Sequence, residues 1–433
     1  MQLYSTNNPS LRVSFKEALF QGLPTDKGLF MPLSLPVLPT DFIDNLHRYS
    51  FQDIAFRVAH NLIGEEIPAA DLRLIIDKAI NFPAPVVLLD EHIGILELFH
   101  GPSMAFKDFG ARFMAETMSW FNRGETRELT ILVATSGDTG GAVAAGFYRT
   151  PGIRVIILYP SGKVSPLQEK QLTTLGHNIS ALEIEGTFDD CQALVKQAFL
   201  DPELTGRLRL SSANSINIAR LIPQSFYYFE AFKQASHLGK PLVFSVPSGN
   251  FGNLTAGLLA MRMGLPVHHF IAATNTNDVV PQYLTSGEYQ PRPSVRTLSN
   301  AMDVGAPSNF ARMTDLYGST WNSIKKDVSG FAFSDADTEE TIRATDQAYH
   351  YLLDPHAAVG YLALRQYQSA HPDTLGIVLE TAHPAKFLED MERILGRRID
   401  IPERLADLKN STKQSTLLPA SYPALQAYLM QQA

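Results

Sequence analysis

Apolar residues follow two different rhythms along this chain. In residues 1–95 they recur three and four apart: 51–62 and 70–80 each gather an apolar face at helical spacing, with Gly64 and Pro68 between them. Ser14-Phe15-Lys16-Glu17 forms a capping box, in which a serine hydroxyl and a glutamate three positions on satisfy free backbone N–H groups reciprocally. The helix it opens is expected to end at Gly22, ahead of Pro24. The pattern predicts a separate, mainly helical unit over 1–95.

Beyond it the rhythm changes. Residues 85–89 and 95–99 read as strands, and 106–121 as a helix stopped by Gly124. Apolar runs at 129–135, 154–159, 179–184, 242–246, 267–273 and 375–379 read as further strands, separated by helical stretches. A strand that is apolar throughout has no solvent face. Strands of that kind joined by helices assemble into parallel sheets covered on both sides, an α/β architecture. Residues 276–334 are rich in Pro, Ser and Gly and weakly periodic, so they read as long loops with one short helix near 309–316. The chain has neither a repeat of solenoid period nor a low-complexity tract.

Composition narrows the class. A chain of 433 residues with 45% hydrophobic and 18% charged residues has room for two or three domains around a large core. A net charge of −8 argues against general binding of nucleic acid or anionic membrane. No apolar run reaches the length of a membrane span, and the first residues lack the basic-then-apolar pattern of a secretory signal. Cys191 is the only cysteine, which rules out an intrachain disulfide and fits a reducing cytoplasm. It lies on an amphipathic helical pattern and reads as a buried, inert thiol. The twelve histidines show no ligand spacing, and His268 and His269 would point to opposite faces of a strand, so no metal is expected.

The candidate chemistry begins at His100-Gly101-Pro102-Ser103-Met104-Ala105-Phe106-Lys107-Asp108-Phe109-Gly110. Lys107 falls in the first turn of a helix, where the positive end of the dipole disfavours a second cation and promotes the neutral amine that attacks carbonyls. The alternative is a surface lysine with Asp108 as its solvated partner. Val246-Pro247-Ser248-Gly249-Asn250-Phe251-Gly252-Asn253 joins a strand to a helix through two glycines. That arrangement offers free N–H groups to an anion, or serves as a plain turn. Thr135-Ser136-Gly137-Asp138-Thr139-Gly140-Gly141 is a second turn of this kind, in which Asp138 could also be a helix cap. Lys163 follows a strand, and Asn217 and Arg220 share a helical face that could hold a phosphate, with surface solvation as the alternative for each cation.

The lysine stretch resembles the Schiff-base segment of fold-type II pyridoxal-phosphate enzymes, the tryptophan synthase β family, with Phe109 where many relatives carry an Arg. Tyr4-Ser5-Thr6, the Phe15-x-Glu17-Ala18 helix and the Gly22-Leu23-Pro24…Asp26-x-Gly28-Leu29-Phe30-x-Pro32 run are similar to the N-terminal domain of threonine synthases, with Lys27 at a place usually held by Gly. Residues 301–312 resemble a segment of the same family, with Ala311 in place of its usual Glu.

The resemblance implies an α/β fold of two open, mostly parallel sheets covered by helices, plus the mainly helical N-terminal domain. Its divisions would be 1–95, a large cofactor-binding domain of 96–125 with 226–433, and a small α/β domain of 126–225. It implies pyridoxal 5'-phosphate on Lys107, with Gly249, Asn250, Phe251, Gly252 and Asn253 around the cofactor phosphate. Thr381 would face the pyridine nitrogen, and His383 would stay structural. Ser103, Ser136, Asp138 and Thr139 would meet the substrate around its carboxylate. Asp138 stands where many relatives place Asn, near the cofactor's phenolic oxygen. Lys163, Asn217 and Arg220 would hold the substrate phosphate.

The implied activity is a lyase of threonine biosynthesis, converting O-phospho-L-homoserine and water to L-threonine and phosphate. Its setting would be cytoplasmic, as a monomer or homodimer with neither nucleic-acid nor membrane partner. Two alternatives remain at this point. One is another fold-type II lyase, such as an O-phosphothreonine-type phospho-lyase or a serine/threonine dehydratase. The other is a non-catalytic phosphometabolite binder, which an intact Lys107 disfavours.

Overall fold

Gln2–Ser5 (β1) pairs antiparallel with both Arg12–Ser14 (β2) and Phe30–Pro32 (β3). This small sheet was not expected in the N-terminal unit, because strands of three or four residues are too short to show an alternation. The structure, a computed structural model, describes residues 1–432. The capping box forms as its spacing requires: the Glu17 N–H donates to Ser14 Oγ at 3.1 Å, and the Ser14 N–H donates to Glu17 Oε2 at 2.7 Å. The helix Phe15–Gln21 then stops at Gly22, whose φ of 70° suits glycine. The helices Phe51–Ile63 and Ala69–Ala79 complete the unit.

Val86–Leu88 (β4) and Ile93–Glu97 (β5) lead into the helix Lys107–Phe121. Next come Leu129–Ala134 (β6), Ile153–Pro160 (β7), Ile179–Glu185 (β8) and Arg209–Ser212 (β9). Leu242–Pro247 (β10), His269–Thr274 (β11), Val328–Ala332 (β12), Leu375–Glu380 (β13) and Thr416–Pro419 (β14) complete the strands. The larger sheet has the order β12-β11-β10-β13-β5-β4, parallel except for the β4–β5 pair. The smaller one runs β14-β8-β7-β6-β9 and is parallel throughout. Strands β6, β10, β11 and β13 are buried along their whole length, which is why they read as mostly apolar runs without a polar face.

Two expectations need correction, and two further strands were not read from the sequence. Residues 276–334 are more ordered than long loops: they contain the helices Val279–Ser286, Phe310–Asp315 and Trp321–Asp327 as well as β12. β12 escaped notice because Gly330 interrupts it. A side chain there would meet the Pro281 backbone, since a Cβ would stand 2.7 Å from Pro281 Cα. Strands β9 and β14 are short, partly exposed edges with no clear period. Finally, β14 pairs with β8 and the helix Tyr422–Met430 packs on the helix Phe188–Leu200. The end of the chain thus returns to the smaller sheet, and the expected 226–433 block for the larger domain stops before β14. The helix Lys107–Phe121 packs against Asp138–Phe147, the first helix of the smaller sheet, so Lys107 starts at the seam between the two sheets.

Candidate active site

β5 and β13 are neighbours in register, Glu97 beside Glu380, and the chain leaves both at the same end. The turn after β5 is then fastened to the segment after β13. The Phe106 N–H donates to the Thr381 carbonyl at 2.8 Å, His383 N–H to the Met104 carbonyl at 3.1 Å, and Ala105 bridges Ala382. The turn closes on Asp108, whose Oδ2 accepts the Ser103 N–H at 2.9 Å. Only glycine fits at 101, because a Cβ there would lie 2.4 Å from that same oxygen. Asp108 is therefore buried, with its carboxyl pushed up to about 6 by desolvation, and is not the solvated partner of a surface lysine.

Lys107 opens the helix and has no ion pair or hydrogen bond among the described residues; its Nζ lies 4.6 Å from the Phe106 ring centroid. It keeps some accessible surface although protein surrounds it, so it lines an internal space. Burial is the first cause that draws its ammonium down to about 8. Lys386 and Arg220 add to the shift, while Asp138 and Asp354 oppose it. A lysine in that state is nucleophilic near neutrality.

Asp138 begins the next helix across the seam, behind Gly137, whose φ is 147°. Thr135 Oγ1 shapes this loop by accepting from the Gly137 and Gly140 N–H groups at 3.0 and 2.8 Å. The Asp138 carboxylate meets Lys386 Nζ at 2.6 Å and accepts from Gln168 Nε2 at 2.8 Å. Burial alone would raise this carboxyl, but Lys386, Lys107 and Gln168 together hold it well below the usual carboxylate range. Lys386 Nζ also donates to the Ser103 carbonyl at 2.8 Å, which Gln171 Nε2 reaches at 2.9 Å. Lys386 was not anticipated: a single lysine just past a strand carries no spacing signal. Ser103 Oγ is buried without a partner, Thr139 is half-buried and Ser136 is exposed.

The loop after β10 forms the opposite wall. A Cβ on Gly249 would stand 2.6 Å from the Ala301 carbonyl oxygen and 2.7 Å from Met302 Cα, so backbone meets backbone there. Phe251 adopts a left-handed φ of 60°, uncommon for a bulky residue, and the helix Gly252–Arg262 follows. Asn250 donates to Ser215 Oγ at 2.7 Å and accepts the Ser308 N–H at 2.6 Å, which closes the 301–309 segment onto this loop. Asn253 Oδ1 accepts from the Tyr227 and Tyr228 hydroxyls at 2.5 and 2.8 Å, leaving its Nδ2 buried and unpaired.

The three substrate-phosphate candidates separate. Asn217 is fully engaged: its Oδ1 caps the following helix through the Ala219 N–H at 3.0 Å, and its Nδ2 donates to the Leu19 carbonyl at 2.8 Å. Arg220 is buried and donates from Nη1 to the Ala213 carbonyl at 2.5 Å, while its Nε has no partner. Lys163 is exposed on the turn after β7, where its charge is felt at Asp190 and not at Lys107. Thr381 is buried at the end of β13, its hydroxyl free of protein partners among the described residues. His383 accepts the Ala385 N–H at 3.1 Å, and desolvation draws its imidazole down to about 4, which suits a neutral cap. A cavity of about 580 Å³ in the N-terminal unit, lined by Phe42, Tyr49, Arg57 and Arg73 among others, shares no residue with this site.

Comparison with known proteins bears on the same residues. Residues 89–379 match the family model for a pyridoxal-phosphate dependent enzyme, 2–80 the threonine synthase N terminus, and 357–429 the threonine synthase C-terminal region. The threonine synthase of Serratia marcescens is 50% identical over 432 residues, which is 99% of each chain. The crystal structure of threonine synthase from Escherichia coli superposes with a TM-score of 0.93 at 47% identity, covering 100% of both chains. The pyridoxal-phosphate-bound threonine synthase of Brucella melitensis gives a TM-score of 0.93 at 36% identity, over 100% of this chain and 99% of the other.

Proposed function

The chain belongs to the threonine synthase family of pyridoxal-phosphate-dependent enzymes, and on that premise we propose the roles of its residues in converting O-phospho-L-homoserine and water to L-threonine and phosphate. The residues present fit pyridoxal 5'-phosphate: a lysine with no ion pair or hydrogen bond among the described residues, in a desolvated setting, a glycine at 249 that admits only backbone, and unpaired buried polar atoms on Ser103, Arg220 and Asn253. When bound, the cofactor supplies an electron sink that acidifies the substrate carbons next to the amine.

Lys107 supplies the amine that anchors the cofactor and afterwards carries protons to and from those carbons. The N–H groups of 249–253, at the start of the helix Gly252–Arg262, hold the cofactor phosphate. Thr381 offers a neutral hydroxyl to the ring nitrogen, at a position set by the Phe106–Thr381 hydrogen bond. Ser103, Ser136 and Thr139 would orient the substrate carboxylate, and Asp138 would face the phenolic oxygen. Arg220, with its unpaired Nε, is the strongest candidate for the leaving phosphate; Asn217 supports it by fixing the helix start. Lys163, exposed and felt at Asp190, is the weaker candidate for that role.

The observation that carries this reading is the desolvated Lys107, without ion pair or hydrogen bond among the described residues and fastened to the strand end that bears Thr381. We assign the enzyme to the cytoplasm as a monomer or homodimer; among the described residues no helix is long and apolar enough to cross a membrane. The test is a product assay with O-phospho-L-homoserine, following phosphate release and identifying the amino acid formed. Equal amounts of phosphate and L-threonine are expected. Phosphate with a keto acid and ammonia would point to a phospho-lyase, and no turnover would overturn the assignment.

A further inference from the structure

Asp138 faces two lysines and binds only one of them. Its Oδ1 sits 2.6 Å from Lys386 Nζ, with both side chains buried, and the same oxygen accepts from Gln168 Nε2 at 2.8 Å. Lys386 is held in place from behind, because its Nζ also donates to the Ser103 carbonyl on the turn that carries Lys107. The pair therefore ties the turn before the reactive lysine to the first helix of the smaller sheet. Lys107 is near enough to feel the Asp138 charge, yet forms no ion pair. The charged groups facing it are Asp138, Lys386, Arg220 and Asp354.

A buried carboxylate without a partner is costly, and the nearest available ammonium would be drawn to it. If Lys386 were absent, that ammonium would be Lys107. A lysine locked in an ion pair stays protonated, and its nitrogen then has no free electron pair with which to attack a carbonyl. We propose that Lys386 is a positioning residue that acts through Asp138: it occupies the carboxylate, so that the Lys107 amine stays unpaired and nucleophilic. This also accounts for an acid at 138, since the ion pair is neutral as a whole and adds no net charge beside the cofactor. The inference deepens the reading above and rests on Lys107 being the reactive amine.

The test measures that amine directly, in the full-length chain freed of cofactor. Reductive methylation with formaldehyde and cyanoborohydride, followed by peptide mass spectrometry, gives the pH midpoint of each lysine, with exposed lysines as internal controls. Wild-type Lys107 is expected to titrate near about 8. A wild-type midpoint at the ordinary lysine value would overturn the reading of Lys107 itself, before any variant is considered. Lys386→Met is expected to raise the midpoint by about one unit or more, which makes labelling at pH 7 about tenfold slower. Adding Asp138→Asn should bring it back to the wild-type value, and Lys386→Arg should leave it unchanged.

An unmoved midpoint in folded Lys386→Met would overturn the proposal. So would a double variant as high as the single, because Lys386 would then act directly by its own charge. Should Lys386→Met fail to fold, Asp138→Asn and the double variant carry the test alone. Loss of the direct charge of Lys386 leaves the double variant only slightly higher, by less than about half a unit, if Lys386 acts mainly through Asp138; a rise of about one unit or more overturns the proposal.

Discussion

The Phe106 N–H and the Thr381 carbonyl are joined at 2.8 Å, so the residue before Lys107 and the residue we propose for the cofactor's ring nitrogen are set by one hydrogen bond. The bond uses only backbone atoms of Thr381, which leaves its hydroxyl free. Geometry and chemistry can therefore be separated by mutation at this position. Thr381→Val should fold normally and keep the link, while losing one neutral hydrogen bond to the cofactor. That loss is about 0.5–1.5 kcal/mol, or roughly two- to tenfold in cofactor affinity. Equilibrium dialysis against pyridoxal phosphate checks it, and unchanged affinity would remove Thr381 from the cofactor site.

Lys107→Ala should retain the fold and lose turnover, because Lys386, the other lysine whose charge is felt at that place, is engaged with Asp138 and Ser103. Borohydride reduction of the wild-type holoenzyme should fix the cofactor on the peptide containing Lys107. Label on a different lysine would reassign the anchor.

What the sequence revealed and what it hid have a common physical cause. Strands β10 and β13 were legible because burial on both faces makes them mostly apolar, and the Ser14 capping box because its two hydrogen bonds are local. The place of Lys107 at a helix start was legible from the turn before it. Partnerships across long separations were not. The Lys386–Asp138 pair joins residues from different sheets, and the Asn217 side chain is used up on the Leu19 carbonyl of the N-terminal unit. Arg312 likewise donates to the Phe30 and Ile216 carbonyls, tying that unit to the segments around residues 216 and 312. Such contacts depend on how distant segments meet, and no local period encodes them.

The cofactor loop carries a graded prediction. Gly249→Ala should disturb the loop strongly, because the added Cβ meets backbone at 2.6 and 2.7 Å on the 301–302 segment. Gly252→Ala should be milder, since its Cβ would meet Asn309 Nδ2 at 3.3 Å, the end of a side chain that can shift. Cofactor titration by absorbance ranks the two variants. The opposite order would mean that the backbone approach at Gly249 does not shape the phosphate site.

Glu380 gives a stability prediction with a definite sign. Burial first, then the charge of Asp354, raises its carboxyl well above the ordinary value; Tyr351 OH lies 2.5 Å from it and 2.8 Å from Glu97. The folded protein keeps this proton where the unfolded chain releases it. Stability from this site is therefore intact below the unfolded carboxylate value and falls as pH rises from there through the raised folded value. Glu380→Gln imitates the protonated form and removes that slope. Its Tm should fall less than the wild-type Tm between about pH 5 and 8, as followed by circular dichroism. Parallel Tm profiles would mean that Glu380 is ionised in the fold.

Arg220 is the sharpest test of where the substrate phosphate sits. Its guanidinium is buried, desolvation draws it down to about 10, and it therefore remains a cation at neutral pH. One end is committed to the Ala213 carbonyl, yet Nε has no acceptor, an arrangement that costs stability unless a ligand completes it. Arg220→Lys keeps a charge but loses the planar fork, and Arg220→Ala loses both. Both variants should raise KM for O-phospho-L-homoserine while leaving the cofactor absorbance intact. For the alanine variant the rise should reach about ten- to a hundredfold, the loss of a charge-assisted bond worth about 1.5–3 kcal/mol. Alanine will also lower Tm by opening a cavity, so KM must be compared at a temperature where both proteins are folded. Lys163→Ala is the control: an exposed cation facing Asp190 should change KM by less than about twofold. Should Lys163→Ala raise KM and Arg220→Ala leave it unchanged, the phosphate lies on the β7 turn, and the unpaired Nε of Arg220 faces something other than substrate.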